Sequence, residues 1–203
     1  MVVSGVRFIR VIIGSPLTKE ASQTYFKEVK TRAQDKFGRN PDHLKVMPGL
    51  SIYVGRTEQE ANEKFDYQNS LMHPVVAREI LSTVLGNVDL TPYDFDGPLP
   101  ENLPMSNASQ STFKYVTELA KKDKLSMRQI AQVVAGARAK MVIKGTPQQV
   151  ADHMEQWFID EAADGFNIMP PYLPGSLNDF VELVIPELQR RGIFRTEYTG
   201  RTL

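Results

Sequence analysis

The last third of the chain leaves the fewest folds open. "AKMVIKG" (139–145) has the length and apolar content of a strand, and "TPQQVADHMEQWF" (146–158) then opens a helix. Thr146 is placed to cap it, Pro147 takes the first helical position, and Gln149 stands three residues after the cap. Val150, Met154 and Trp157 fall on one face. "DGFNIMP" (164–170) reads as the next strand, and "SLNDFVELVIPELQRRG" (176–192) as the next helix, with Phe180, Leu183, Val184 and Leu188 inward. It closes with Arg190, Arg191 and Gly192, where cations and a left-handed residue suit a helix C-terminus. Strand, helix, strand, helix at this spacing predicts parallel strands with right-handed crossovers. The class is α/β.

The first part of the chain repeats the pattern. "VRFIRVIIGSP" is β-branched and stops at Gly14 and Pro16; "TKEASQTYFKEVKTRAQDKFG" follows as an amphipathic helix with Ala21, Tyr25, Val29 and Ala33 four residues apart. "HLKVMPGLSIYVG" is a second apolar stretch, and Thr57 with Glu60 has capping-box spacing at the next helix start. Residues 71–138 break the alternation. They hold a short helix after Pro74, a proline-rich loop over 87–111 whose Tyr93 and Phe95 suggest packing, and two further helices, the second with Ser126 and Gln129 in capping register. A doubly wound sheet and a barrel both fit such alternation. No G-x-G-x-x-G and no G-x-x-x-x-G-K-[ST] occurs, which favours the barrel.

Composition narrows the chemistry. Lys+Arg and Asp+Glu are both 24, so no basic footprint calls for nucleic acid or an anionic membrane surface. Cysteine is absent, which removes disulfides, thiolate nucleophiles and cysteine zinc sites together. His43, His73 and His153 lie far apart without metal spacing. No apolar run reaches membrane-helix length, so a cytoplasmic protein with a small-molecule partner is the expectation.

The mouth of the strand at 164–170 is the candidate site. Asn167 and Met169 share one face by the period of two, and Tyr172 stands in the loop above. The same residues also fit plain packing: Met169 as barrel filling, Asn167 as a loop-tying amide. Gly145-Thr146-Pro147 has the form of an anion site, though a helix cap alone accounts for Thr146. Asp94 and Asp96 read as solvated loop carboxylates, and Arg56 and Arg138 as surface cations able to meet an acidic substrate.

Several blocks resemble the second half of flavin-dependent monooxygenases of the bacterial-luciferase superfamily. They are residues 18–65, "DGPLP", "AGARAKMVIKGTPQQVADHMEQWF" and, above all, "AADGFNIMPPYLPGSLNDFVELVIPELQRRGIFRTEYTGRTL". The branch is that of nitrilotriacetate monooxygenase component A, dibenzothiophene-sulfone monooxygenase and the large subunit of pristinamycin IIA synthase, and the resemblance spans residues 11–203. It implies the C-terminal half of a (β/α)8 TIM barrel: about four β/α units in one partial domain over 1–203, with 71–138 as a helical and loop insertion. Reduced FMN and O2, with a separate NAD(P)H:flavin reductase, are then implied, inserting one oxygen atom into a small organic substrate. On that implication Asn167 and Met169 contact the flavin and Tyr172 the substrate; no catalytic residue and no metal ligand is assigned. Ser4-Gly5 stands where the family has a serine- and glycine-rich flavin-binding segment, and the rest of residues 1–10 departs from it. Half a barrel leaves strand edges open, so a missing N-terminal half or a homo-oligomer is the expected partner. The alternative is a catalytically inactive remnant that at most oligomerises or binds a small molecule.

Overall fold

The computed structural model describes residues 9–14, 18–103, 110–136, 141–198 and 200. Ser4, Gly5 and Arg138 lie outside the described residues. The elements are β1 (Val11–Ile12), α1 (Lys19–Phe37), β2 (Lys45–Val46), β3 (Gly49–Val54), α2 (Glu58–Ser70), α3 (Pro74–Val84), α4 (Gln110–Asp123), α5 (Met127–Gly136), β4 (Val142–Gly145), α6 (Pro147–Ile159) and β5 (Asn167–Ile168). A last helical run joins α7 (Gly175–Asp179), a π-helical turn (Phe180–Val184) and α8 (Ile185–Arg190).

The caps fall where the sequence places them. Thr18 Oγ1 accepts from Ala21 N–H at 3.2 Å to start α1, and Gly38 ends it with φ +58°. At α6, Thr146 N–H donates to Gln149 Oε1 at 2.9 Å and Gln149 N–H to Thr146 Oγ1 at 3.4 Å, a reciprocal box. Ser126 and Gln129 make the same pair at 2.9 and 3.3 Å. Before α2 the return bond lands one residue early: Glu60 N–H donates to Thr57 Oγ1 at 3.1 Å, while its carboxylate accepts from Arg56 N–H at 2.7 Å.

Two compact units divide the chain, one of Met1–Lys64 with Ala139–Leu203 and one of Phe65–Arg138. In the second, Leu81, Leu85, Leu90, Phe95, Val116, Met127 and Ile130 are buried together. The proline-rich loop is anchored there rather than loose. The Phe95 ring lies between the guanidinium groups of Arg78 and Arg128, at 5.0 and 5.1 Å, and Arg128 also donates twice to Asp96 at 2.6 and 3.0 Å. Tyr93, by contrast, is exposed.

In the first unit β2 and β3 are one path interrupted at Met47-Pro48, and alternate residues serve opposite edges. Lys45, Met47 and Gly49 donate N–H bonds to the carbonyls of Arg10, Ile12 and Gly14, while Ser51 and Gly55 donate to Met141 and Gly145. Asp164, Asn167 and Met169 donate, each at 2.9 Å, to the carbonyls of Val46, Pro48 and Leu50 on the other edge. All pairings are parallel, and the three-stranded order is β4-β3-β5. β1 and β4 therefore lie end to end on one edge, with β5 alone on the other. The sequence pattern leaves this strand order open. β1 and β2–β3 are consecutive neighbours, whereas β4, which precedes β5 in the chain, does not stand between β3 and β5. It pairs with the upper half of β3, whose N–H groups run on past the end of β1.

Helices cover one face of this sheet. Leu50, Ile52 and Val54 pack with Val150, Ala151, Phe180, Val184 and Leu188, joined by Ile143, Phe166 and Ile168. α1 packs Val29 and Ala33 on Leu44 and Val46, and Ser22 Oγ donates to the Ala162 carbonyl at 2.6 Å. Among the described residues no helix is long and apolar enough to cross a membrane.

Candidate functional site

Since Leu50, Ile52 and Val54 face the helices, the pleat turns Gly49, Ser51 and Tyr53 to the opposite face. Ser51 and Tyr53 are each 1% exposed. The register sets Asn167 beside Gly49 and Ile168 beside Leu50, which brings Met169 across from Ser51. Ile168 and Phe166 join the helix-side core, so Asn167 and Met169, both half-buried, share the face of Ser51 and Tyr53.

Tyr172 sits above the strand end in a closed turn. Its N–H donates to Ser176 Oγ at 3.2 Å, and the Ser176 hydroxyl donates back to the Tyr172 carbonyl. Its ring lies so close to Gly175 that a Cβ there would stand 2.8 Å from it. The structure thus places Asn167 and Met169 on one sheet face, with Tyr172 in the turn beyond the strand. It adds Ser51 and Tyr53, which sequence reasoning missed although "GLSIYV" alternates polar and apolar positions.

Lys64 ties this corner together. Its Nζ donates to the Val54 carbonyl at 2.8 Å and pairs with Asp179 and Glu60, each at 2.9 Å. Burial works against its charge, but the bonds to Asp179 and Glu60 outweigh it and hold its pKa above the ordinary lysine value. Tyr53 is pushed above the usual phenol value by burial and then by Tyr172; Tyr172 is pushed up by burial first and then by Asp179, against an opposing pull from Lys64. Both phenols therefore stay protonated at neutral pH and can donate hydrogen bonds.

The remaining candidates have structural partners. His43 is exposed on a short turn, and His73 caps α3, its Nδ1 accepting from Val75 N–H at 3.3 Å. His153 stacks on Trp157 at 5.4 Å; burial and then Lys19 hold its pKa below the ordinary value. Asp94 accepts from Asp96 N–H at 3.1 Å, Asp96 is held by Arg128, and the Arg56 side chain is exposed. Among the described residues no cluster of three His, Cys, Asp or Glu could hold a metal ion.

The helix starts at the carboxyl ends of β3 and β4 bear on a phosphate-bearing cofactor. A Cβ at Gly145 would stand 2.7 Å from Gln149 Oε1, so glycine there makes room for the capping side chain. The Thr146–Gln149 box and the Arg56–Glu60 and Thr57–Glu60 bonds engage the N–H groups of Thr146, Gln149, Arg56 and Glu60 at these helix starts with the chain's own side chains. Asn167, Met169 and Tyr172 have the amide, apolar and phenol chemistry that one wall of a flavin site would use, and the capping side chains of Gln149 and Glu60 stand at these two helix starts.

No family model matches the chain. It is 48% identical over 197 residues to nitrilotriacetate monooxygenase component A of Aminobacter aminovorans, covering 97% of the chain and 43% of that protein. With pristinamycin IIA synthase of Streptomyces pristinaespiralis it shares 44% over 182 residues, covering 90% of the chain and 42% of the matched synthase polypeptide. The solved structure of EDTA monooxygenase (EmoA) from Chelativorans sp. BNC1 matches with a TM-score of 0.66 at 35% identity, covering 98% of this chain and 46% of that one. The chain is homologous to luciferase-like flavin-dependent monooxygenases, relatives of TIM-barrel type. Within them its homologues are the nitrilotriacetate monooxygenase branch, which also includes dibenzothiophene-sulfone monooxygenase. The resemblance read from the sequence blocks therefore holds. The chain spans about two fifths of the length of the curated relatives it matches.

Proposed function

We propose that this chain supplies the C-terminal half of the (β/α)8 barrel of a two-component, FMNH2-dependent monooxygenase that inserts one oxygen atom of O2 into a small organic substrate. Residues 71–138 form an insertion in that barrel, and a separate NAD(P)H:flavin reductase supplies the reduced flavin. The observation that carries the reading is 48% identity over nearly the whole chain to a component A monooxygenase. The polar face supports it: it follows β3 from Gly49, beside Asn167, up to Tyr53 next to the strand's carboxyl end, the end at which barrel enzymes build their sites. A cytoplasmic location accords with reliance on NAD(P)H and a reductase.

In the complete protein the bound flavin brings the oxygen chemistry, and this segment's residues position it and exclude water. Asn167 presents an amide and Met169 a soft apolar surface to the flavin. Tyr172, fixed by Ser176 and packed on Gly175, presents a phenol donor to the substrate, and Tyr53 offers a second donor on the same face. The alternative reading takes its place from length: the 203-residue segment spans about two fifths of its curated relatives and is expected to be inactive alone, needing the rest of the barrel or a second copy.

The test is an anaerobic titration of reduced FMN into the full-length protein and into the 203-residue chain, with sedimentation in the same buffer. Saturable binding by the full-length protein, weakened by Asn167→Ala, is expected, with none by the folded segment alone. A folded full-length protein that binds no reduced flavin would sink the proposal.

A further inference from the structure

The amino end of β5 has a feature that the flavin reading does not use. A groove of about 730 Å³ runs along the helix side of this strand, between α6, α8 and the segment after α8. Phe158, Phe166, Phe180, Phe194, Met154 and Leu188 contribute to its apolar wall, and Asn167, Met169 and Tyr172 take no part. Such a size and lining suit a small apolar molecule. Phe158 and Phe194 remain 56% and 39% exposed beside it.

Charge decides which molecule. Glu155, Asp164 and Arg195 are the charged residues of the lining. Glu155 accepts from Arg191 at 2.7 Å, and Asp164 from Lys30 at 3.0 Å and Val46 N–H at 2.8 Å, so both acids are compensated within the fold. Arg195 pairs with no carboxylate among the described residues. Its guanidinium lies 5.9 Å from the Phe194 ring centre and 4.9 Å from that of Tyr198, contacts that orient the cation without cancelling its charge. Gln189 fixes the backbone there by donating to the Arg195 carbonyl at 2.9 Å.

We propose that this groove binds an amphiphilic carboxylate, a medium-chain fatty acid, with its alkyl chain along Phe158, Phe166 and Phe180 and its head group on Arg195. A planar guanidinium matches a carboxylate with two parallel bonds, which a neutral or cationic head group cannot accept. The site is separate from the flavin face and does not depend on it.

The experiment is calorimetric titration of the flavin-free full-length protein with hexanoate, octanoate and decanoate below their aggregation limits. Trp157, the sole tryptophan, 6.3 Å from the Phe166 ring, gives a parallel fluorescence signal. One saturable site is expected, tightening roughly four-fold per added methylene. Arg195→Gln should weaken decanoate about ten-fold or more, the loss of a charged hydrogen-bond pair, and Phe158→Arg should abolish binding. Both positions are exposed, so the variants should fold, with circular dichroism as the check. Absence of saturable binding, equal affinity for decyltrimethylammonium, or decanoate binding unchanged in both variants would each overturn the proposal. Reduced-flavin affinity, measured on the same variants, is expected to be unaffected, which keeps this outcome distinct from that of the flavin reading.

Discussion

The two faces of β3 are made of adjacent residues and do opposite work. Leu50, Ile52 and Val54 disappear under α6 and the last helical run, with apolar partners on every side. Ser51 and Tyr53, one position away, carry hydroxyls toward a face shared with Asn167 and Met169 and overlooked by Tyr172. A helix-facing position is filled by packing, so its side chain is set by volume. The other face keeps donors that an apolar core would not need. A single strand thus separates an apolar core face from a polar face by the parity of its residue numbers.

That comparison can be broken by substitution. Leu50→Ala should give the largest effect, a loss of about 2–5 kcal/mol of stability for a buried leucine truncated in a packed core, read by denaturant unfolding. If it proved harmless, the helix side would not be the core. Gly55→Ala comes next. Its Cβ would stand 2.4 Å from the Ala61 nitrogen and 2.7 Å from the Thr57 carbonyl oxygen, both backbone atoms that cannot turn aside. A loss of about 1–3 kcal/mol is expected from this overpacking, again by unfolding.

The site face should answer differently. Tyr172→Phe in the full-length protein should leave the unfolding midpoint nearly unchanged, while substrate affinity falls about two- to ten-fold, one hydrogen bond's worth. A matching fall in stability would make Tyr172 a packing residue, erasing the distinction between faces.

Acid sharpens the contrast more gently. Hydrogen bonds from Arg190 and then Arg191 lower the Glu187 pKa from 4.5 to about 2. A carboxylate depressed on folding adds stability that is complete above its unfolded pKa and is lost as pH falls through the folded one. The contribution should therefore fade between about pH 4.5 and about pH 2, and Glu187→Gln should flatten that part of a pH–stability curve. An unchanged slope would show that the Arg190–Glu187–Arg191 cluster adds nothing to the helix layer.

Much of the local structure was legible because its causes are local. Thr18, Ser126 and Thr146 cap the helices they precede, and Gly38 and Gly192 take φ +58° and +72° just beyond helix ends. The pairing of Asn167 with Met169 followed from the strand period alone. The strand read from 139–145 is present at Val142–Gly145, but its place in the sheet was not legible. Its apolar pattern specifies a strand and says nothing about which edge it will join. Lys64 and Asp179 went unnoticed for a related reason: 115 positions separate them, and each looks like an ordinary helix-surface charge until the fold brings them to 2.9 Å.

By itself, then, the sequence determined the α/β class, the helix starts and stops, the absence of cysteine chemistry and, through its blocks, the kinship. Those depend on neighbours along the chain or on residue identity. Only the tertiary structure decided that β4 continues the edge of β1, that Tyr53 joins the site, and that Lys64 closes the corner over Val54. Such contacts follow from which hydrogen-bonding edges and buried charges remain unmatched once the sheet has assembled, a property of the whole fold that no short window of residues contains.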